Sequence, residues 1–157
     1  VLEEIEWSTL MFFAGLFILV GVLEEKGVIE WIAHHIFLGA GDNPYTAVLL
    51  VLWSAGIISG FLDNIPFTIT MIPIVQIMLE NNPIPNNILW WALSLGACLG
   101  GNITIIGASA NIVSVGISKK YGVDISFIEF MKTGMIISFI SLTLSSLFLV
   151  GYLWIVL

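Results

Sequence analysis

The sequence predicts an all-α membrane protein with spanning helices, one interfacial amphipathic helix, one re-entrant helical hairpin and one discontinuous helix. The chain of 157 residues is 59% hydrophobic and only 10% charged, with a mean hydropathy of +1.08. A soluble domain carries about 25% charged residues, so this composition cannot cover a water-exposed surface. Charge-free runs separate the clusters of charge, at 7–23, 43–62, 64–79, 81–118 and 133–157. Backbone groups in lipid must bond internally, and these runs lack the alternation of barrel strands, so we expect helices.

The composition also excludes several function classes. Lys and Arg together number 4 against 11 Asp and Glu, so the chain lacks the cationic surface that nucleic-acid binding needs. The single Cys98 excludes a disulfide framework. The sequence pattern offers no catalytic triad, phosphate loop or cluster of metal ligands, so we expect neither an enzyme nor a bound metal centre. We expect a multi-pass integral protein of the plasma (inner) membrane, with the lipid bilayer as a partner.

The first two predicted elements are a spanning helix at 1–23 and an interfacial helix at 24–38. The first contains a charge-free run close to the roughly 20 residues that a span requires. In the second, Val28 and Ile32 fall on one helical face and Glu30 on another. This amphipathic pattern is typical of a helix that lies in the membrane interface.

Residues 45–79 predict a helical hairpin whose arms are separated by Asp63 and Asn64. The second arm, 67–79, holds too few apolar residues to cross a bilayer, and we expect Pro73 to shorten it further. We therefore favour a re-entrant hairpin that places Asp63 and Asn64 at membrane depth. The alternative is two short, tilted spans with Asp63 and Asn64 in water.

Residues 88–118 predict one helix that is broken near its middle. The segment 100–111 contains three glycines and three isoleucines, which are poor helix formers. We expect Ser109 or Asn111 to cap the second half of this helix. The last predicted element is a spanning helix at 130–157.

The lysines predict the orientation in the membrane. The helices at 1–23, 88–118 and 130–157 each cross the membrane once, and the hairpin returns to the side from which it enters. Lys119, Lys120 and Lys132 therefore lie on one side of the membrane, and the hairpin enters from the other side. Because lysines concentrate in cytoplasmic loops, we expect these three to be cytoplasmic and the hairpin to enter from outside. Lys26 lies on the opposite side, as the one exception.

The two interruptions together predict a binding site. A helix that is broken at membrane depth leaves backbone N–H and carbonyl groups without hydrogen-bond partners, and a bound solute can supply those partners. Two such breaks in one protein indicate the binding site of a transporter. Helix N-termini suit an anion, whereas unwound carbonyl groups with Asn, Ser and Thr oxygens suit Na⁺. The candidate residues are Asp63, Asn64, Thr68, Asn102, Thr104, Gly107, Ser109 and Asn111. Within this set, Asp63, Asn64, Asn102 and Asn111 are candidates for Na⁺, and we expect no cofactor besides Na⁺ or H⁺ as coupling ion.

Structural interpretations of the same residues stay open. A carboxylate at the bilayer centre costs about 2.5–3.5 kcal/mol, which favours a proton carrier or cation ligand at Asp63. Asp63 could instead be a solvated turn residue that caps the second arm of the hairpin. The small and polar residues of 100–111 could serve helix–helix packing alone.

Three segments resemble the ion-transporter superfamily: 61–68 (FLDNIPFT), 100–111 (GGNITIIGASAN) and 7–17 (WSTLMFFAGLF). The branch that they resemble holds arsenical pump permeases, NhaD-type sodium/proton antiporters, the melanosomal P protein and citrate-transporter-like proteins. The resemblance implies one half of an inverted-repeat transporter, here the C-terminal half, with an N-terminal half missing. It also implies that the hairpin turn and the helix break jointly hold the coupling ion and the substrate.

One departure bears on the substrate. The related dicarboxylate carriers have Ser-Asn-Thr at the hairpin turn, where this chain has Asp63, Asn64 and Ile65. The difference favours the pump and antiporter branch. We therefore expect a secondary active transporter with alternating access, coupled to H⁺ or Na⁺, and with a small ion or anion as substrate. Arsenite efflux or Na⁺/H⁺ antiport are the candidate activities.

Three alternatives to this function stay open. They are a carboxylate carrier of the citrate type, a non-transporting scaffold or assembly subunit, and a channel. Half of an inverted-repeat site should not transport alone, so we also expect a homodimer or a partner half.

Overall fold

The computed structural model describes residues 43–81 and 84–157, and residues 11, 14, 15, 18, 19, 21–23, 25–28 and 31. Within these residues all regular structure is helical, which confirms the predicted all-α fold. From residue 43 onward, five helices follow one another: α1 (Pro44–Ser59), α2 (Asn64–Asn81), α3 (Ile88–Gly100), α4 (Ser109–Lys120) and α5 (Phe127–Val156). The predicted elements at 1–23 and 24–38 lie mostly outside the described residues, although Lys26 and Gly27 form a turn.

Helices α1 and α2 form the two arms of the hairpin. Asn43 accepts a hydrogen bond from the backbone N–H of Tyr45 (2.9 Å) and starts α1, with Pro44 in the first turn. The chain turns at residues 60–63, which we call the hairpin tip. Whether this hairpin is re-entrant stays a prediction, as does the orientation in the membrane.

Helix α2 is longer than the sequence predicts at both ends. It begins at Asn64 and continues through Pro73 to Asn81, so the expectation that Pro73 shortens this arm is wrong. A proline inside a helix removes one backbone hydrogen bond. Here Ile74 and Val75 beside it are fully buried, so packing against the core holds the helix together across the proline.

The core lies where α3 packs across α1. A Cβ atom on either of two α3 glycines would collide with α1: that of Gly96 would lie 2.5 Å from the carbonyl oxygen of Leu52, and that of Gly100 would overlap Gly56. The two backbones therefore touch directly, as small residues allow between membrane helices. Val48, Leu52 and neighbouring apolar side chains fill the remaining space.

The helix predicted at 88–118 is interrupted in the structure. Helix α3 ends at Gly100, a short 3₁₀ turn covers Ile105–Gly107, and α4 starts at Ser109. We call residues 101–109 the break, so that it includes the first residue of α4. The expectation that Ser109 or Asn111 caps α4 is wrong, since Ala108 lies at the cap position and no side chain bonds there. Both side chains are engaged elsewhere, as described below.

Helix α5 closes the structure and starts earlier than predicted. Its first residue is Phe127 rather than residue 130, because Ser126 and Glu129 form a reciprocal capping box. Among the described residues, α5 is the one helix that is long and apolar enough to cross a membrane, with 30 residues and a mean hydropathy of 2.0. Three shorter apolar helices accompany it: Pro44–Ser59, Asn64–Glu80 and Ile88–Gly100.

Candidate functional site

The hairpin tip lies directly against the break. The hydroxyl of Thr104 donates a hydrogen bond to the carbonyl oxygen of Gly60 (2.6 Å), and Thr104 is completely buried. A Cβ on Gly101 would lie 3.6 Å from Cβ of Asn64, the first residue of α2. The fold thus brings together the two interruptions that the sequence analysis singled out.

Asp63 connects the two interruptions through its carboxylate. One oxygen, Oδ1, accepts a hydrogen bond from the backbone N–H of Ile65 (3.0 Å), which caps the start of α2. The other, Oδ2, accepts one from the hydroxyl of Ser109 (2.8 Å), the first residue of α4. Asp63 therefore caps a helix, as the structural interpretation has it, and also contacts the break.

Four helix ends converge at this place. The N-termini of α2 and α4 meet at Asp63 and Ser109, and helix N-termini carry partial positive charge. The C-terminal ends of α1 and α3 meet around Gly107. A Cβ on Gly107 would lie 2.5 Å from the carbonyl oxygen of Gly101. The carbonyl oxygens of Gly60 and Ser59 would lie 2.9 and 3.0 Å from the same Cβ. Backbone donors and acceptors therefore both face this small region, and only glycine fits at 107.

Side chains bond to several carbonyl groups at the end of α3 and in the break. Four donors reach them: Ser59 to Ala97 (2.7 Å), Asn102 to Cys98 (3.3 Å), Ser138 to Leu99 (2.9 Å), and Asn111 to both Gly101 (2.9 Å) and Thr104 (3.0 Å). The protein itself thus supplies much of what a break in a membrane helix requires. An ion at this site would add to a preformed scaffold rather than hold the break together alone.

Two of these donors were missed by sequence reasoning. Ser59 and Ser138 are buried serines in otherwise apolar helices, and both donate to carbonyl groups at the end of α3. A hydroxyl that could not find a partner there would cost free energy, so a lone serine in an apolar run was a usable signal. The sequence alone could not show which carbonyl it would reach.

The predicted site residues divide into three groups. The structure brings together five of them at the tip and the break: Asp63, Thr104, Gly107, Ser109 and Asn111. Asn64 adjoins this group, whereas the hydroxyl of Thr68 bonds back to the Asn64 carbonyl within α2 (2.7 Å). Asn102 lines a different cavity, between the break and α5, to which the hairpin tip contributes no residue. Ion or substrate binding by any of them stays a prediction.

Comparison with known proteins gives one family. The model of the family described as "Citrate transporter" matches residues 1–96. Two similar proteins are an "uncharacterized transporter" of Mycobacterium tuberculosis and a "46 kDa membrane protein" of Mycobacterium leprae. Each is 42% identical over 155 residues, which cover 98% of this chain and 35% of the relative. The mouse P protein is 40% identical over 157 residues, covering 95% of this chain and 19% of its own.

The chain therefore spans about a third of the length of its bacterial relatives. No solved structure matches the chain. The family match extends over more than half of the sequence and includes the hairpin tip and α1. The chain belongs to the citrate transporter family of integral membrane proteins.

Proposed function

We propose that the protein containing this chain is a secondary active transporter of inorganic ions, which works by alternating access coupled to H⁺ or Na⁺. Arsenite efflux and Na⁺/H⁺ antiport are the candidate activities. The observation that carries this proposal is the hydrogen bond between Asp63 and Ser109, because it joins the hairpin tip to the break through an ionisable group. Ionisable residues within membrane domains mark ion pathways and proton relays.

The oxygen atoms around Asp63 suit a small hard cation. Carboxylate, hydroxyl, amide and carbonyl oxygens are the ligands that such cations prefer. Asp63 and Ser109 supply the first two, and the side-chain oxygen of Asn111 accepts no hydrogen bond within the described residues. A cation at Asp63 would replace the Ser109 proton as the partner of Oδ2. A proton could do the same, so both Na⁺ and H⁺ fit this position.

The surroundings of the site support a further partner. Four large apolar side chains of the hairpin tip, the first turn of α2 and the break are exposed by about half: Phe61 (53%), Leu62 (56%), Ile65 (47%) and Ile106 (51%). Exposed apolar side chains of this size mark a surface that a partner covers. We propose that an N-terminal half of the protein covers it, and that two copies pair in the membrane.

A carboxylate carrier is the second candidate. Two observations favour it: the description of the matching family, and the two helix N-termini that converge at Asp63 and Ser109. Helix N-termini bind carboxylate and phosphate groups through their free N–H groups. Asp63 itself opposes a bound anion, so a carboxylate would require a cation or proton at Asp63 first.

Flux measurements on the full-length protein in lipid vesicles distinguish these candidates. Na⁺, arsenite and citrate would each be offered under an imposed sodium or proton gradient. We expect Asp63→Asn to abolish gradient-driven flux while the protein still inserts. Asp124→Asn is the matched control, because Asp124 is 82% exposed and pairs with Lys119 (3.7 Å) rather than with the tip or the break.

The other outcomes have separate meanings. Normal coupled flux in Asp63→Asn would overturn the proposed role of this residue. Flux that no gradient can drive uphill would indicate a channel. A correctly inserted protein that moves none of the three solutes would favour a scaffold or assembly subunit.

A further inference from the structure

A cavity lies between the break and the start of α5. It has a volume of about 610 Å³. Three polar residues, Asn102, Glu129 and Thr133, all of them exposed, contribute to its lining together with Gly134. Gly134 packs against the backbone of Asn102 and Ile103, which fixes α5 on the break. The cavity is thus built from two elements held in contact, and its volume is typical of a small-molecule site.

Three side-chain oxygen atoms of these lining residues accept no hydrogen bond within the described residues. The amide nitrogen of Asn102 donates to Cys98, which leaves its side-chain oxygen free. Glu129 uses Oε2 for its capping box with Ser126, which leaves Oε1. The Thr133 oxygen takes part in no hydrogen bond within the described residues. Three oxygen acceptors from an amide, a carboxylate and a hydroxyl therefore line one space.

The charge at the cavity is negative. Glu129 forms no ion pair in the part of the chain that the structure describes, where the one ion pair joins Lys119 and Asp124. Lys132 lies one turn further along α5 and weakens this field without neutralising the carboxylate by direct contact. A carboxylate among mostly apolar lining residues attracts cations.

The remaining lining is apolar. Ile125, Phe130 and Ile137 contribute hydrocarbon and aromatic surface to the same cavity. A ligand that fits must therefore combine a cationic group rich in donors with an apolar body. A primary ammonium has three N–H donors and no acceptor, which matches the three free oxygens.

We propose that this cavity is a binding site for amphipathic primary amines, separate from the site at Asp63. The ammonium group binds Glu129, Asn102 and Thr133, and the apolar body packs on Ile125, Phe130 and Ile137. The ligand then contacts both α5 and the break. The proposal does not depend on what the protein transports.

Equilibrium binding to the full-length protein in lipid nanodiscs tests this site. The probe is radiolabelled 2-phenylethylammonium, with empty nanodiscs correcting for partition into lipid. We expect saturable binding, with neutral 2-phenylethanol and anionic 3-phenylpropionate competing at least tenfold more weakly. The ammonium alone combines the charge and the three donors that the cavity matches.

Variants separate the site from general effects. We expect Glu129→Gln to weaken binding of the ammonium at least tenfold, while Gln still serves the capping box and keeps the helix start. Thr133→Val removes one acceptor without changing volume and should weaken binding severalfold. Glu80→Gln is the matched control, since Glu80 is exposed and lies outside the cavity. Melting curves of each variant check that it is folded.

The proposal is overturned by any of three results. These are no saturable binding above empty nanodiscs, equal competition by the alcohol, and unchanged affinity in both folded variants. Asp63→Asn should leave amine binding unchanged, so a failure of the transport proposal and a failure of this one give different results.

Discussion

The hydroxyl of Ser109 donates a hydrogen bond of 2.8 Å to Oδ2 of Asp63, across 46 positions of sequence. The second carboxylate oxygen accepts from the backbone N–H of Ile65. Asp63 is therefore oriented by one donor from each of two helix starts, those of α2 and α4. A ligand that replaces the Ser109 hydroxyl as the partner of Oδ2 would therefore break this contact between the hairpin and the broken helix.

Removal of the Ser109 hydroxyl should impair coupled transport more than stability. In Ser109→Ala the carboxylate keeps only its contact with Ile65, so its second oxygen is no longer positioned at the break. We expect gradient-driven flux to fall about tenfold or more, the effect of losing one charge-assisted hydrogen bond of about 1.5–3 kcal/mol. Because Ser109 is exposed, the melting temperature should change little.

Two variants control this measurement. Ser109→Thr keeps the hydroxyl and should keep most of the flux. Ser114→Ala removes an exposed hydroxyl of the same helix that bonds only to the Ala110 carbonyl (2.8 Å), and should behave like the unaltered protein. Equal flux in Ser109→Ala and Ser114→Ala would show that the Asp63 contact is dispensable.

The buried hydroxyl of Thr104 should be important for stability. It donates to the Gly60 carbonyl (2.6 Å) and accepts from the N–H of Gly107 (3.1 Å). Thr104→Val removes the donor to the buried Gly60 carbonyl, at about 1–3 kcal/mol, whereas the N–H of Gly107 keeps its bond to the Thr104 backbone carbonyl (3.3 Å). We expect a clearly lower melting temperature in detergent, largely restored in Thr104→Ser.

A threonine elsewhere provides the comparison for this variant. Thr143 bonds only to the Phe139 carbonyl of its own helix (2.8 Å). Thr143→Val should therefore melt close to the unaltered protein. If Thr104→Val melts no lower than Thr143→Val, the bond between hairpin tip and break does not stabilise the fold.

Gly107 should tolerate no side chain. A Cβ there would meet three backbone oxygens, with that of Gly101 at 2.5 Å, and backbone atoms cannot move aside as a side chain can. Gly107→Ala should destabilise the protein by about 1–3 kcal/mol, as other overpacked sites do. In Gly116→Ala the added methyl meets nothing within 4 Å, so this variant should be neutral or more stable by about 0.5–1 kcal/mol. Thermal melting of the two variants side by side tests the difference, and equal melting temperatures would contradict it.

Local chemistry made the break and the helix series predictable from sequence. Three glycines and three isoleucines in 100–111 disfavour helix over a short stretch, and the structure interrupts the helix there. Asp63 in an otherwise charge-free run likewise indicated the hairpin turn. These signals depend on neighbouring residues, which the sequence shows directly.

The bonds that close the break were not predictable in the same way. Ser59 reaches Ala97 across 38 positions, and Ser138 reaches Leu99 across 39. Such partners depend on how α1 and α5 pack against α3, which no local pattern encodes. The cap expected from Ser109 or Asn111 was wrong because α4 already begins at Ser109, which places Ala108 at the cap position, and both side chains bond elsewhere.

The amide nitrogen of Asn111 has a structural role, and its amide oxygen has the proposed role of an ion ligand. Its amide nitrogen donates to the carbonyl oxygens of Gly101 (2.9 Å) and Thr104 (3.0 Å), so it closes the break. Its oxygen is the atom that would bind Na⁺. Asn111→Asp keeps that oxygen and adds charge, but it places a carboxylate against two carbonyl oxygens. We expect this variant to lose at least one hydrogen bond, which lowers the free energy of unfolding by about 1–3 kcal/mol and therefore lowers the melting temperature.

Melting in sodium chloride and in choline chloride resolves the two roles. If Asn111 also binds Na⁺, sodium should raise the melting temperature of Asn111→Asp, because ligands that bind the folded state stabilise it. Asn43→Asp makes the same chemical change where only the side-chain oxygen is used, to accept from Tyr45 at the start of α1. Asp caps helices as well as Asn does, so this control should melt normally in both salts. Normal melting of Asn111→Asp in choline would mean that the amide does not hold the break closed, and that its carbonyl partners are satisfied in another way.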